Sequence, residues 1–351
     1  MMTEQTPMNM ARITELMRSG DLAQATQLIQ SELGGGAMPR MPTGGLSMPQ
    51  MPKMPQMPTG FPTGTTARGG APVDLPDGAS WTTHQHQAAG QSREYRLYLP
   101  ASLDGRPAAG LLLLLHGCTQ DPDDFARGTG IMAAAERHRV IVVAPAQTAQ
   151  ANMNRCWNWF EARHTARDGG EAAFLVDLTR SVAHDHAVAP DQRFAAGLSA
   201  GGAMAVILGA VFADDFGAVA CHSGLPNGAA TDMGGAFQAM SQGGSDRGQG
   251  VGCRLFVVHG TTDKTVSPRN ADAVLDQALR RQPGLTRRAA DAKLNDRAVH
   301  IGRYRDDAGS LRIETWRVDG LAHAWSGGEP TGSYTAPGPQ ATDAMMAFFL
   351  G

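Results

Sequence analysis

DQRFAAGLSAGGAMAVILGAVF, residues 191–212, carries the reading of the whole chain. RFAAG is a short run that fits a strand, and GGAMAVILGAVF after it fits a buried helix. Between them lies GLSAG, Gly197 to Gly201, a G-x-S-x-G motif on a strand-to-helix turn. Glycines on both sides permit a turn tight enough to lift a serine hydroxyl above the end of a sheet. The helix start behind the serine also offers backbone N–H groups to a developing negative charge. Ser199 is therefore the candidate nucleophile, against the plainer alternative of a small-residue packing turn.

Outward from this turn, apolar runs and helical stretches alternate. LLLLLHG (111–117), VIVVAPA (140–146), FGAVACHSG (216–224) and RLFVVHG (254–260) are nearly continuous apolar runs ending in turn residues. Such runs fit parallel strands buried on both faces. REYRLYLP (93–100) alternates and follows a turn at Ala88 to Gln91, and LRIETWRV (311–318) reads as a late strand. Helices are expected near 123–138, 171–186, 268–280 and 340–350, and directly after Ser199. The pattern predicts an α/β domain over residues 76–351. Its sheet should be mostly parallel, with antiparallel strands at its start and helices on both faces. With the serine turn, this is the α/β-hydrolase fold.

Residues 1–34 read as a helical extension. NMARITELMRSG and DLAQATQLIQSELGG carry apolar residues at three- and four-residue spacing, with Asp21 placed to cap the second helix. This hairpin is either a packing and self-association element or one that targets a hydrophobic particle. Residues 35–75 are a low-complexity linker, in which Met and Pro alternate in MPRMPTGGLSMPQMPKMPQMPTGFPTG. Proline blocks helix and ladder, so an extended chain is expected, serving as a spacer or as a flexible apolar surface.

Composition excludes several function classes. Lys plus Arg is 30 against 33 for Asp plus Glu, a formal net charge of −3, so no basic surface for nucleic acid is expected. No run approaches the roughly 18 apolar residues of a membrane span. MMTEQTPMNMARITELMRSG lacks the features of a signal peptide, which places the chain in the cytoplasm as an expectation. Four cysteines and no CxxC pair suggest neither a disulfide scaffold nor a zinc site.

A serine hydroxyl needs a base, and the base needs an orienting acid. In this fold the acid and then the histidine follow the serine in the chain. Asp263 in FVVHGTTDKTV lies just past a strand, 64 residues after Ser199, and His323 in VDGLAHAWSGG lies 60 residues further on. Asp272 and Asp276 come later, on a helix, and suit solvent. The oxyanion donors should be the N–H of Ala200 and an N–H of the loop after LLLLLHG, with Cys118 the candidate. His116 either orients that loop or lines the pocket as a substrate contact, and His259 is read as structural. RCWNWF, Arg155 to Phe160, follows a strand on the ligand side. Trp157 and Trp159 are thus either a substrate wall or a hydrophobic plug over the sheet.

LHGCTQ, NRCWNWF, DQRFAAGLSAGGAM, VVHGTTDKTV and GLAHAWSGG occur in this order. Together they resemble the catalytic domain of short-chain-length polyhydroxyalkanoate depolymerases, the type I esterases that cleave poly(3-hydroxybutyrate), over about residues 85–350. The resemblance implies a carboxylic-ester hydrolase with Ser199, Asp263 and His323 as triad, Cys118 as oxyanion donor and a tryptophan of RCWNWF on the substrate. It implies no cofactor and no metal. The expected partner is a polyester or small ester, and a polyhydroxyalkanoate granule surface if the chain is similar to the cytoplasmic subgroup. Feruloyl and acetylxylan esterases have a similar motif set and are the alternative. A non-catalytic granule protein on the same scaffold is the alternative of another class. Secreted relatives pair the cysteines matching Cys118 and Cys156, a bond not expected in a reducing cytoplasm.

Overall fold

The computed structural model describes residues 75–245 and 248–351. The helical hairpin and nearly all of the Met/Pro linker fall before residue 75 and lie outside the described residues. Ten strands form one sheet: β1 (Ser80–Ala88), β2 (Gln91–Leu99), β3 (Gly110–Leu115), β4 (Val140–Pro145), β5 (Arg193–Leu198), β6 (Ala218–His222), β7 (Arg254–Gly260), β8 (Thr286–Leu294), β9 (Arg297–Arg305) and β10 (Leu311–Val318). Their order across the sheet is β1-β2-β4-β3-β5-β6-β7-β10-β9-β8. The six strands from β4 to β10 in that order run parallel. Antiparallel pairs close both ends. A two-residue pair, β11 (Trp325–Ser326) with β12 (Thr335–Ala336), lies outside this sheet.

Every residue of β3 and β4 is buried, because helices cover both faces. Alternation divides the strands between two cores. Leu111, Leu113, Leu115, Ile141 and Val143 pack with α3 (Gly170–Asp185), α4 (Ala200–Val211) and α6 (Arg269–Arg281). Leu112, Leu114, Val140 and Val142 pack on the other face with α1 (Pro122–Thr129), α2 (Ile131–His138) and α7 (Ala341–Leu350). Among the described residues, α5 (Met233–Gln242) is a further α-helix.

Three elements differ from expectation. The single helix expected near 123–138 is two, because Gly130 takes a left-handed φ of 64° and ends α1. Helix α5 was not expected. Nor was the β8–β9 hairpin, whose turn residues Asn295 and Asp296 both have positive φ. The hairpin puts antiparallel strands at the far end of the sheet as well as at its start.

Candidate active site

The parallel strands bring their carboxyl ends to one edge, and the candidate residues collect there. Ser199 directly follows β5 with φ 58° and ψ −119°, a conformation that non-glycine residues adopt at a cost. Close approach of α4 to β3 sustains it. A Cβ on Gly201 would lie 2.1 Å from the Leu115 carbonyl oxygen, and one on Gly197 would lie 2.4 Å from the Gly201 carbonyl carbon. The Ser199 N–H donates to the His222 carbonyl at 2.9 Å and ties the turn to β6. The Ala200 N–H stands in the first turn of α4, where helix geometry supplies no acceptor.

Asp263 lies three residues beyond β7, and His323 lies in the loop after β10, the neighbour of β7. The Thr262 N–H donates to the Leu321 carbonyl at 3.2 Å, which joins the two loops. His323 Nδ1 lies 2.7 Å from Asp263 Oδ2. Asp263 Oδ1 accepts the N–H groups of Thr265 and Val266, each at 2.9 Å. Burial alone would raise the Asp263 pKa. Hydrogen bonds from His259 and His323 and the Val266 N–H outweigh it and hold the carboxyl well below the usual range. A carboxylate only accepts, so His323 carries its proton on Nδ1 and leaves Nε2 basic. The His323 loop is also linked to the serine turn, since the Ser326 N–H donates to His222 Nε2 at 3.1 Å.

The loop after β3 borders the serine. A Cβ built on Gly117 would lie 3.7 Å from the Ser199 Cβ. Within this loop the Gly117 N–H donates to Gln120 Oε1, that of Thr119 to the Asn154 carbonyl, and that of Gln120 to the Gly117 carbonyl. Among the described residues, the Cys118 N–H is the one in this run left without an acceptor. The Cys118 side chain is disulfide-bonded to Cys156, with Cα atoms 4.2 Å apart. This is the pairing that the resemblance to secreted relatives implies, and the bond fixes the β3 loop to the loop after β4.

The model of the family described as Esterase PHB depolymerase matches residues 93–298. The chain belongs to that family. Poly(3-hydroxyalkanoate) depolymerase C of Paucimonas lemoignei is 29% identical over 239 residues, 62% of this chain and 56% of the relative. Poly(3-hydroxybutyrate) depolymerase of Ralstonia pickettii is 30% identical over 276 residues, 71% of this chain and 56% of the relative. The chain therefore spans just over half the length of these relatives. An acetyl xylan esterase from Aspergillus awamori superposes with a TM-score of 0.57 at 15% identity, over 76% of this chain and 98% of that one, and shares the α/β-hydrolase fold.

In this member of the family, the aromatic loop is not a wall. Trp157 is 0% exposed and Trp159 5%, and the Trp157 indole N–H donates to the His116 carbonyl at 3.1 Å. The substrate-contact expectation for both thus gives way to the plug, because Trp157 packs beneath the β3 loop and Trp159 is buried in the core edge-on to Phe160. His116 likewise faces inward rather than into a pocket. Its Nδ1–H donates to the Gly117 carbonyl at 2.7 Å, and its Nε2 accepts the Gln147 N–H at 3.1 Å. Burial pushes its pKa down to about 4, so it orients the loop as a neutral ring.

Three further groups, Glu171, His222 and Tyr334, support the site and were not singled out from sequence, and His259, read there as structural, joins them. Glu171, fully buried, accepts from Arg93 at 3.0 Å, Gln147 at 2.6 Å, and the backbone and side chain of Asn158 at 2.7 and 2.9 Å. Gln147 in turn holds His116, so this network underlies the candidate oxyanion loop. His222 bridges the serine turn and the His323 loop. The His259 ring lies against Asp263. Tyr334 places its hydroxyl 3.2 Å from Thr119 Oγ1, and its ring meets that of His323 edge-on at 6.5 Å.

Proposed function

We propose that this chain is a serine esterase that hydrolyses short-chain polyhydroxyalkanoate esters through an acyl-enzyme. The observation that carries the reading is the 2.7 Å Asp263–His323 pair at the sheet edge where Ser199 stands on its strained turn. Ser199 Oγ attacks the ester carbonyl while His323 Nε2 takes its proton. Asp263 holds the ring and stabilises the imidazolium, and the N–H groups of Ala200 and Cys118 receive the oxyanion. Collapse breaks the ester C–O bond, and His323 returns the proton to the departing alkoxide oxygen, which leaves as the alcohol. Water then attacks the acyl-enzyme with His323 again as base, which frees the acid and Ser199.

Membership of the family and the names of the two depolymerases support the polyester substrate. A granule surface as partner, with residues 1–75 as its tether, belongs to the same proposal and draws on the amphipathic spacing and the Met-rich composition of that segment. For location, the granule reading goes with the cytoplasm, and the Cys118–Cys156 bond favours the alternative, an oxidising compartment as for secreted relatives. The test is product analysis on amorphous poly(3-hydroxybutyrate). Soluble 3-hydroxybutyrate and its oligomers are expected. No release, beside ready hydrolysis of feruloyl or acetyl-sugar esters, would move the enzyme to plant-polysaccharide substrates.

A further inference from the structure

His259, on β7, is buried at the site, and the steps above give it no task. Its side chain is 1% exposed, with Nε2 2.9 Å from the Val266 carbonyl and 3.4 Å from Asp263 Oδ2. Both neighbours are acceptors, so Nε2 carries a hydrogen. Nδ1 has no hydrogen-bond partner. A proton there would bury an unpaired donor and a charge, so the ring holds one proton, on Nε2.

We propose that His259 is a positioning residue for Asp263, its Nε2–H bridging the Val266 carbonyl and Oδ2. This rests on the reading of Asp263 and His323 as acid and base. Asp263 then has four donors: the Thr265 and Val266 N–H groups on Oδ1, and His323 and His259 on Oδ2. That number fills the lone-pair sites of a carboxylate. The second histidine takes up part of the negative charge that His323 would otherwise face alone. Asp263 thereby stays an anion that orients His323 without locking it in the protonated form, which cannot act as base. The other titratable groups around the pair are His222 from β6, Tyr334 from the loop before β12, and Lys264, exposed beside Asp263. Burial keeps the His222 ring neutral.

The experiment compares the pH profiles of kcat/KM on p-nitrophenyl butyrate for wild type, H259F and H259Q, with melting temperatures alongside. Phenylalanine keeps the bulk and removes the N–H, whereas glutamine returns an N–H at the ε position. In H259F the acid limb should move up by about half a pH unit or more, because the uncompensated carboxylate favours the imidazolium. H259Q should leave the limb in place. A lowered melting temperature or kcat in H259F with an unmoved limb would reduce His259 to packing and overturn the proposal. So would an equal shift in both variants. If H259F does not fold, nitrogen NMR of the wild type decides, with a protonated Nε2 and bare Nδ1 expected. The opposite tautomer would refute the bridge. Wild-type turnover that survives S199A would instead sink the esterase reading, a failure visible before any His259 variant is compared.

Discussion

Lowering the pH from 7 to 5 should strip stability from the fold through His116 and His222. Both rings are fully enclosed and use both nitrogens as neutral groups. His116 lies between the Gly117 carbonyl and the Gln147 N–H, and His222 between Ser223 Oγ and the Ser326 N–H. Burial pushes the first pKa down to about 4. It pushes the second to about 3. An ordinary histidine titrates near ~6.5, so below that pH the unfolded chain binds two protons that the folded chain refuses. More protons on the unfolded state means that stability falls as pH falls. At pH 5, about 1.5 units below the unfolded value, each ring costs about 2 kcal/mol, or about 4 kcal/mol for the pair. That is a large part of a typical domain stability of ~5–15 kcal/mol. His164 adds in the same direction, and exposed His300, raised by Asp291 and Asp319, opposes it. The depressed carboxylates Glu136 and Asp263 lose their contribution only at lower pH, so this window isolates the histidines. Urea midpoints at pH 7, 6 and 5 read the effect. A midpoint unchanged from pH 7 to 5 would refute the claim that both rings are held neutral by burial.

Three substitutions probe the supports of the site. Gly201→Ala puts a Cβ within 2.1 Å of the Leu115 carbonyl and 2.7 Å of the His116 carbonyl, so the serine turn or the β3 loop must shift. A kcat loss of ~100-fold on p-nitrophenyl butyrate is expected from displacement of about 1 Å, and a normal kcat would count against the packing of this turn. Glu171→Leu leaves the Arg93 guanidinium buried without its carboxylate and should cost about 3–5 kcal/mol by urea denaturation. A midpoint close to wild type would show that the network does not hold the loop. Trp157→Ala should cost about 3–5 kcal/mol while depressing polymer and short-ester hydrolysis alike. A loss confined to polymer would restore the substrate-wall role.

The parts of the molecule that were legible in sequence are those whose signal is local. LLLLL and VIVVAP read as central strands because residues buried on both faces leave no polar interruption. GLSAG reads as a turn because its glycines answer a steric demand, the contact with the Leu115 carbonyl, that only a glycine meets. Asp263 and His323 follow from strand ends and chain order, and the structure joins them by a hydrogen bond. What escaped has no such signal. TRRAADAKL forms β8 at an edge where nearly every side chain meets solvent, so it shows no apolar alternation. Its one clue was the Asn295-Asp296 turn. Gly130 looks like a tolerated residue inside a helix until its left-handed φ splits that helix in two. Glu171 reads as a charged helix start, and its burial depends on Arg93, 78 residues away. Trp157 and Trp159 sit where ligand contacts gather, yet the His116 carbonyl holds Trp157 and the core buries both, which no pattern in RCWNWF discloses.

The central claim is that Ser199 is the nucleophile of an ester hydrolase, and a covalent trap tests it most directly. The full chain is treated with diethyl p-nitrophenyl phosphate, digested, and read by peptide mass spectrometry beside S199A. A single diethylphosphoryl adduct on the peptide containing Ser199, matched by loss of p-nitrophenyl butyrate turnover and absent from S199A, is the predicted result. An adduct on another residue, or turnover that persists in S199A, would contradict it.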